Sequence, residues 1–189
     1  MNKIQDEFID YLVRINFVFK NEEVFTECVK DHKGFMLLGE KFGPFEKGKK
    51  YKLKLFIAIP FIENDILIVD SNEKCDNIDV QRYAISERDD QHLVRRENNF
   101  FNKLKEFKLF MEKEIKDGLK SKAELDRFNS FTTNIIDSRL LKLFKLARAE
   151  LSLEDEKKLT NPEQMLFKYI STIVNSWRNF FLGKDQSKN

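Results

Sequence analysis

Ser71-Asn72-Glu73-Lys74-Cys75-Asp76-Asn77-Ile78-Asp79 is polar, acidic and without apolar periodicity, and the chain changes character across it. Before it, Gly34, Gly39, Gly43 and Gly48, four of the six glycines, lie close together among aromatic and β-branched segments. After it, no glycine appears until Gly118, Pro162 is the only proline, and apolar residues recur at helical spacing. The sequence therefore predicts an α+β chain. Residues 1–76 form a small β-rich domain with an N-terminal helix, and residues 77–189 form a helical bundle domain.

In the first part, Ile4, Phe8, Leu12 and Ile15 share one face of a helix over Lys3 to Asn16. Strands are expected near Val24 to Lys30, Phe35 to Leu38, Tyr51 to Leu55 and Ile66 to Val69. A sheet this small buries too little alone and must lean on a helix or another chain. In the second part the spacing predicts helices over Val80 to Asn98, Phe100 to Asp117 with Gly118 as its stop, and Ser121 to Leu151. Leu151 to Thr160 reads as a charged loop. A last helix is expected with Asn161 as N-cap and Pro162 at its first position, ending at Gly183 before a frayed tail, Lys184 to Asn189.

Composition narrows the function. Of the residues, 41% are hydrophobic and 35% charged, enough for a real core, and the net charge of +2 gives no general attraction to polyanions. The uncharged stretch Leu55 to Ile62 is too short to span a bilayer, and Asp6, Glu7 and Asp10 stand where a signal peptide needs apolar residues. Cys28 and Cys75 are too few for a disulfide framework, so a reducing cytoplasm is expected.

Catalytic patterns are sparse. Gly48-Lys49-Lys50 lacks the upstream glycine spacing and the hydroxyl of a phosphate-binding loop. Asp70, Asn72, Lys74 and Asp76 resemble a calcium loop only faintly, with Cys75 where the sharp turn needs glycine. His32 and His92 are the only histidines, each isolated, and Asp89 and Asp90 sit in a run of charge that reads as a wet helix face. No catalytic residue, cofactor or metal is expected.

Two basic groupings could touch nucleic acid. Lys47, Lys49, Lys50, Lys52 and Lys54 run along a turn and strand, where protecting a sheet edge is the favoured role. Arg139 and Lys142, continued by Lys145 and Arg148, recur every three residues on the long third helix, where a solvated face is favoured. The nineteen phenylalanines are more telling, since they make several helices apolar on more than one face. Phe167, Ile170, Val174, Trp177 and Phe181 on the last helix are the candidate subunit interface. Phe131, Ile135 and Leu143 are core or interface, two classes the sequence does not separate.

Gly43-Pro44-Phe45-Glu46-Lys47-Gly48, followed by Tyr51-Lys52-Leu53-Lys54-Leu55-Phe56-Ile57-Ala58, resembles a turn and segment of the GINS subunits. Those subunits are non-enzymatic parts of the replicative helicase assembly in archaea and eukaryotes. Their pattern is Gly-Pro-Phe-x-Pro-Gly, then Val-x-Val-Pro-Leu-Trp-Leu-Ala. Lys47 and Lys54 stand in place of prolines and Phe56 in place of tryptophan. Ile136-Asp137-Ser138-Arg139-Leu140-Leu141-Lys142-Leu143 is similar to the family's central helix. Leu159-Thr160-Asn161-Pro162-Glu163 and the Trp177-bearing helix resemble the archaeal members.

The β-first order resembles the type related to the eukaryotic Psf-two and Psf-three subunits. The resemblance implies a short helix over Leu55 to Asn64, in which Pro60 is an irritant. It also implies a 2:2 heterotetramer with a helical-domain-first GINS subunit, packed through helical domains. Such a complex joins the MCM helicase ring to a RecJ-like or Cdc-type partner, in the cytoplasm at the nucleoid, or in the nucleus of a eukaryote. Direct binding of single-stranded or forked DNA through the basic groupings is the alternative function.

Overall fold

The structure, a computed structural model, describes residues 3–37, 39–70, 73, 75–149 and 151–183. The expected frayed tail lies outside them, as does part of the Ser71 to Asp79 connection. The chain is α+β: a small strand region followed by helices. Helix α1 (Lys3–Phe19) precedes strands β1 (Glu23–Cys28), β2 (Phe35–Leu37), β3 (Glu40–Phe42) and β4 (Lys50–Lys54). Then come α2 (Leu55–Glu63) and β5 (Leu67–Val69). The helical part comprises α3 (Asn77–Asp89), α4 (Phe100–Lys116), α5 (Lys122–Leu146), the short α6 (Leu153–Glu156) and α7 (Asn161–Phe181). Among the described residues no helix is long and apolar enough to cross a membrane.

Strand β1 is the centre of an antiparallel sheet ordered β4-β1-β5, while β2 and β3 form a separate hairpin. The β3 arm, Glu40-Lys41-Phe42, was not expected, because a polar triplet has no strand signature of its own and is held by pairing with β2. Val24, Cys28, Leu67 and Val69 point inward onto Leu55, Ala58 and Phe61 of α2. Here α2 matches the helix implied by the resemblance. Pro60 sits on its exposed face, so the Phe56 carbonyl that lacks an N–H partner within the helix lies on the side open to water.

The glycine-rich turns answer a steric demand. Gly34 and Gly43 both take φ near +90°, at +83° and +93°. A Cβ on Gly34 would lie 2.1 Å from the Phe42 carbonyl oxygen, and one on Gly43 would lie 2.7 Å from the Gly34 Cα. The two turns therefore cross at backbone contact, and Phe45, two residues on, fills the sheet core beneath them.

Several boundaries differ from the sequence expectation. Helix α3 starts three residues earlier, capped by Asp76 Oδ1 accepting from the Ile78 and Asp79 amides at 2.8 and 2.9 Å. It ends at Asp89 rather than Asn98, and Asp90 then turns the chain by accepting from the His92 amide at 2.8 Å. Helix α5 stops at Leu146 rather than Leu151, and one helical turn, α6, interrupts the charged loop. The N-cap of α7 is Thr160, not Asn161. Its amide and hydroxyl both donate to Glu163 Oε2, at 2.9 and 2.8 Å.

Helix α1 runs on to Phe19 and does more than open the chain. Its buried Asn16 donates to Glu106 of α4 at 2.8 Å and accepts from Asn102 at 3.1 Å, while the Phe8 ring meets Tyr169 of α7 edge-on at 5.9 Å. At its other end Phe19 packs on the sheet core. One helix thus touches both the strand region and the bundle.

Candidate functional site

Helix α7 carries one apolar stripe, Leu166, Ile170, Ile173, Trp177 and Phe180, spaced by four, three, four and three residues. Its two halves have different fates. In the first half Ile170, with Phe167 beside it, is buried against Leu93, Leu143, Ala147 and Leu159. In the second half the bundle has run out. Trp177 is 64% exposed, Phe181 66% and Phe180 79%, and Ile173 is similarly bare. These rings touch mainly one another: Trp177 and Phe181 lie 5.0 Å apart, and Phe180 and Phe181 5.1 Å. Ile173, Trp177, Phe180 and Phe181 thus form an apolar patch that the described residues leave open.

The eight residues expected at a subunit interface therefore separate. Ile135, Leu143, Phe167 and Ile170 are core residues of this chain, a correction for Phe167 and Ile170, and the choice of core over interface for Ile135 and Leu143. Phe131 and Val174 are half-buried at the margins of two core clusters. Trp177 and Phe181 are free to meet a partner, and Ile173 and Phe180 join them. The stripe spacing had marked those last two as apolar; where the bundle ends had no signal in the sequence.

Arg139 and Lys142 do not line a surface, which corrects both as nucleic-acid contacts. Arg139 is 1% exposed. Its Nε donates to Glu163 Oε1 at 2.6 Å and its Nη2 to Oε2 at 2.7 Å, a bidentate pair. Its Nη1 donates to Glu87 Oε2 at 3.0 Å and to the Val94 carbonyl at 2.9 Å. The Lys142 Nζ donates to Glu87 Oε1 at 2.7 Å and to the Glu87 carbonyl at 2.6 Å.

Glu87, from α3, has no exposed surface at all, and its charge is shared with Arg96 at 3.6 Å. The Arg96 guanidinium lies over the rings of Tyr83 at 4.8 Å and Phe100 at 5.7 Å. Burial holds Arg96 below the usual guanidinium pKa despite Glu87. Burial also pulls on Arg139, but Glu163 and Glu87 together outweigh it and hold Arg139 above the ordinary value. Both carboxylates are committed to cations, and Glu163 also to the α7 cap, so the cluster acts as a tie between α3, α5 and α7. Continuing the same three-residue row, Lys145 and Arg148 are exposed, because a step of three falls about 60° short of a full turn and the row winds away from the face that buries Arg139.

The lysine row remains at the surface. Strand β4 is an edge of the sheet, as the lysines suggested, and Lys47, Lys49, Lys50, Lys52 and Lys54 are all exposed. Lys49 pairs with Glu46 and Lys52 with Glu23, both at 2.6 Å, and Lys50 pairs with Asp70. Of the histidines, His32 is tied into the hairpin base by mutual backbone bonds with Phe45 and packs on Phe61, and His92 is exposed.

No protein-family model and no curated protein matches the chain. Its surfaces carry the functional argument: one bare aromatic helix end, one basic sheet edge, and an apolar groove of about 550 Å³ between α1, α4, α5 and α7, lined by Ile9, Val13, Phe101, Ile136 and Leu140.

Proposed function

We propose that this chain is a non-catalytic scaffold subunit of the GINS type. On this proposal it packs with a helical-domain-first GINS subunit into a 2:2 complex that bridges the MCM ring and a RecJ-like or Cdc-type partner at the replicating DNA. The observation that carries the proposal is the α7 stripe, which is covered by this chain in its first half and bare from Ile173 to Phe181. A surface with Trp177 at its centre and aromatic neighbours around it has the composition of an interface hot spot. Support also comes from the β-first order, from α2 lying where the resemblance placed a helix, and from the close backbone crossing that requires Gly43 of the Gly-Pro-Phe turn.

The test is co-expression with a helical-domain-first GINS subunit, followed by mass measurement by light scattering. A complex of two chains of each kind is the expected result. A monodisperse monomer that ignores the partner overturns the proposal. The alternative of direct DNA binding has lost Arg139 and Lys142 to the interior and rests on the lysine row and the exposed Lys145 and Arg148.

A further inference from the structure

We propose that the free edge of β4 is a docking site for an extended acidic peptide, which adds to the sheet as a fourth strand. The inference starts from register. β4 pairs antiparallel with β1, Glu23 opposite Lys54 through Glu27 opposite Lys50. The Leu55 amide donates to the Glu22 carbonyl and the Cys28 amide to the Lys49 carbonyl, so hydrogen-bonded pairs fall at every second position, including Leu53 with Val24 and Tyr51 with Thr26. Lys50, Lys52 and Lys54 are the intervening residues; the N–H and C=O groups of Lys50 and Lys52 and the Lys54 N–H point away from β1, while the Lys54 carbonyl, at the N-cap, opens α2. Among the described residues no strand pairs with that side.

The side chains specify what can pair there. Lys50, Lys52 and Lys54 stand on the outer face of the sheet and are exposed, while Tyr51 and Leu53 on the other face are half-buried against the sheet core. An added strand with carboxylates opposite the lysines and apolar residues opposite Tyr51 and Leu53 satisfies both faces. The Lys52 partner, Glu23, lies one strand further in, and an exposed pair of this kind is weak enough to exchange, whereas Lys50 stays on the buried Asp70, so Lys52 and Lys54 are the lysines that meet the added strand. A lysine-lined edge rejects another copy of itself by like charge, and the same charge selects an acidic strand.

Nucleic acid fits this edge less well. The outward carbonyls of Lys50 and Lys52 are acceptors, and a phosphate backbone offers them no donor. A peptide supplies donor and acceptor alternately at the spacing the edge presents.

The test uses the full chain and a seven-residue capped peptide alternating Glu and Val, with a Lys-Val peptide, oligothymidylate and a Glu-Val peptide N-methylated at alternate residues as comparisons. Saturable binding is expected, with the Lys50, Lys52 and Lys54 amides shifting and gaining protection from hydrogen exchange. N-methylation is expected to weaken binding about tenfold or more by removing the peptide's donors. The double variant Lys52→Gln, Lys54→Gln is expected to weaken it about three- to tenfold, less so in high salt. Absence of saturable binding, equal affinity for the N-methylated peptide, or tighter binding of oligothymidylate each overturns the proposal.

Discussion

Arg139 of α5 grips both carboxylate oxygens of Glu163, and the same Glu163 caps the first turn of α7 through Thr160. A helix start and an interior ion pair are thus one unit. Replacing Arg139 with Ala leaves the buried Glu163 without its cation, while Lys142 and Arg96 still hold Glu87, and is expected to destabilise the chain by about 3–5 kcal/mol in urea unfolding. Arg139→Lys is expected to recover little, since an ammonium cannot make the two-pronged contact. An unchanged unfolding midpoint for Arg139→Ala would show that the cluster is not a tie.

Trp177→Ala and Phe181→Ala separate the two roles of α7. Because both rings are largely exposed, each change should move the stability of the isolated chain by no more than about 0.5 kcal/mol. In complex with a helical-domain-first partner, the same changes should weaken association by about 2 kcal/mol or more. Phe167→Ala, in the buried half of the stripe, should do the reverse and cost about 3–5 kcal/mol of folding stability. Calorimetry on the free chain and a binding titration read the two effects separately.

Gly43→Ala should be disproportionately harmful for a one-carbon change. The new methyl meets the Gly34 backbone, which cannot step aside as a side chain could, and φ is +93° besides. A loss of at least about 2 kcal/mol is expected. At Gly48, also at positive φ but with open space around it, Ala should cost only the backbone preference of about 1 kcal/mol. Equal losses at the two sites would rule out the close crossing.

Cys75 should be chemically quiet and should make the fold sensitive to alkali. Burial pushes its thiol up to about 12, with Asp79 adding to the effect, against an ordinary value of 9.0. In the folded chain the thiol keeps its proton above pH 9, while in the unfolded chain it is lost. Between about pH 9 and 12 the unfolded state binds fewer protons, so stability falls as pH rises, by up to about 1.4 kcal/mol per unit. Below pH 9 the thiol contributes no slope. Cys75→Ser should flatten the alkaline decline, and iodoacetamide at pH 8 should leave native Cys75 unmodified. Rapid native alkylation would contradict the burial.

The layout of the chain was legible in the sequence where local pattern and tertiary environment agree. The glycine-rich turns, the stop at Gly118 and the stripes of α4 and α7 all lie where their spacing put them. Position Leu55 to Glu63 shows the limit of pattern alone, because an eight-residue apolar run fits a buried strand or a buried helix equally. Only the resemblance favoured the helix. Arg139 and Lys142 were illegible for another reason. Their row continues into Lys145 and Arg148, which are exposed, and the residue types of the two pairs are alike. What buries the first pair is Glu87, which comes from another helix 52 residues earlier, and the irregular chain after Asp89 that brings the Val94 carbonyl over Arg139. A carboxylate on α3 and another in a Thr-x-x-Glu cap were visible as residues, but their convergence was not.

The position of the aromatic tip follows from how α7 is rooted. Trp177 lies fourteen residues beyond Glu163, about 21 Å along a straight helix. The helix is held through its first half by the Glu163 pair and the buried Phe167 and Ile170, and once more near its tip, where Arg178 donates to the Arg148 carbonyl at 2.6 Å. The direction of the tip is thus set in part by charges buried well behind it. A sequence change among Arg139, Glu87 and Glu163 is expected to re-aim Trp177 and Phe181 without altering a single residue of the exposed patch.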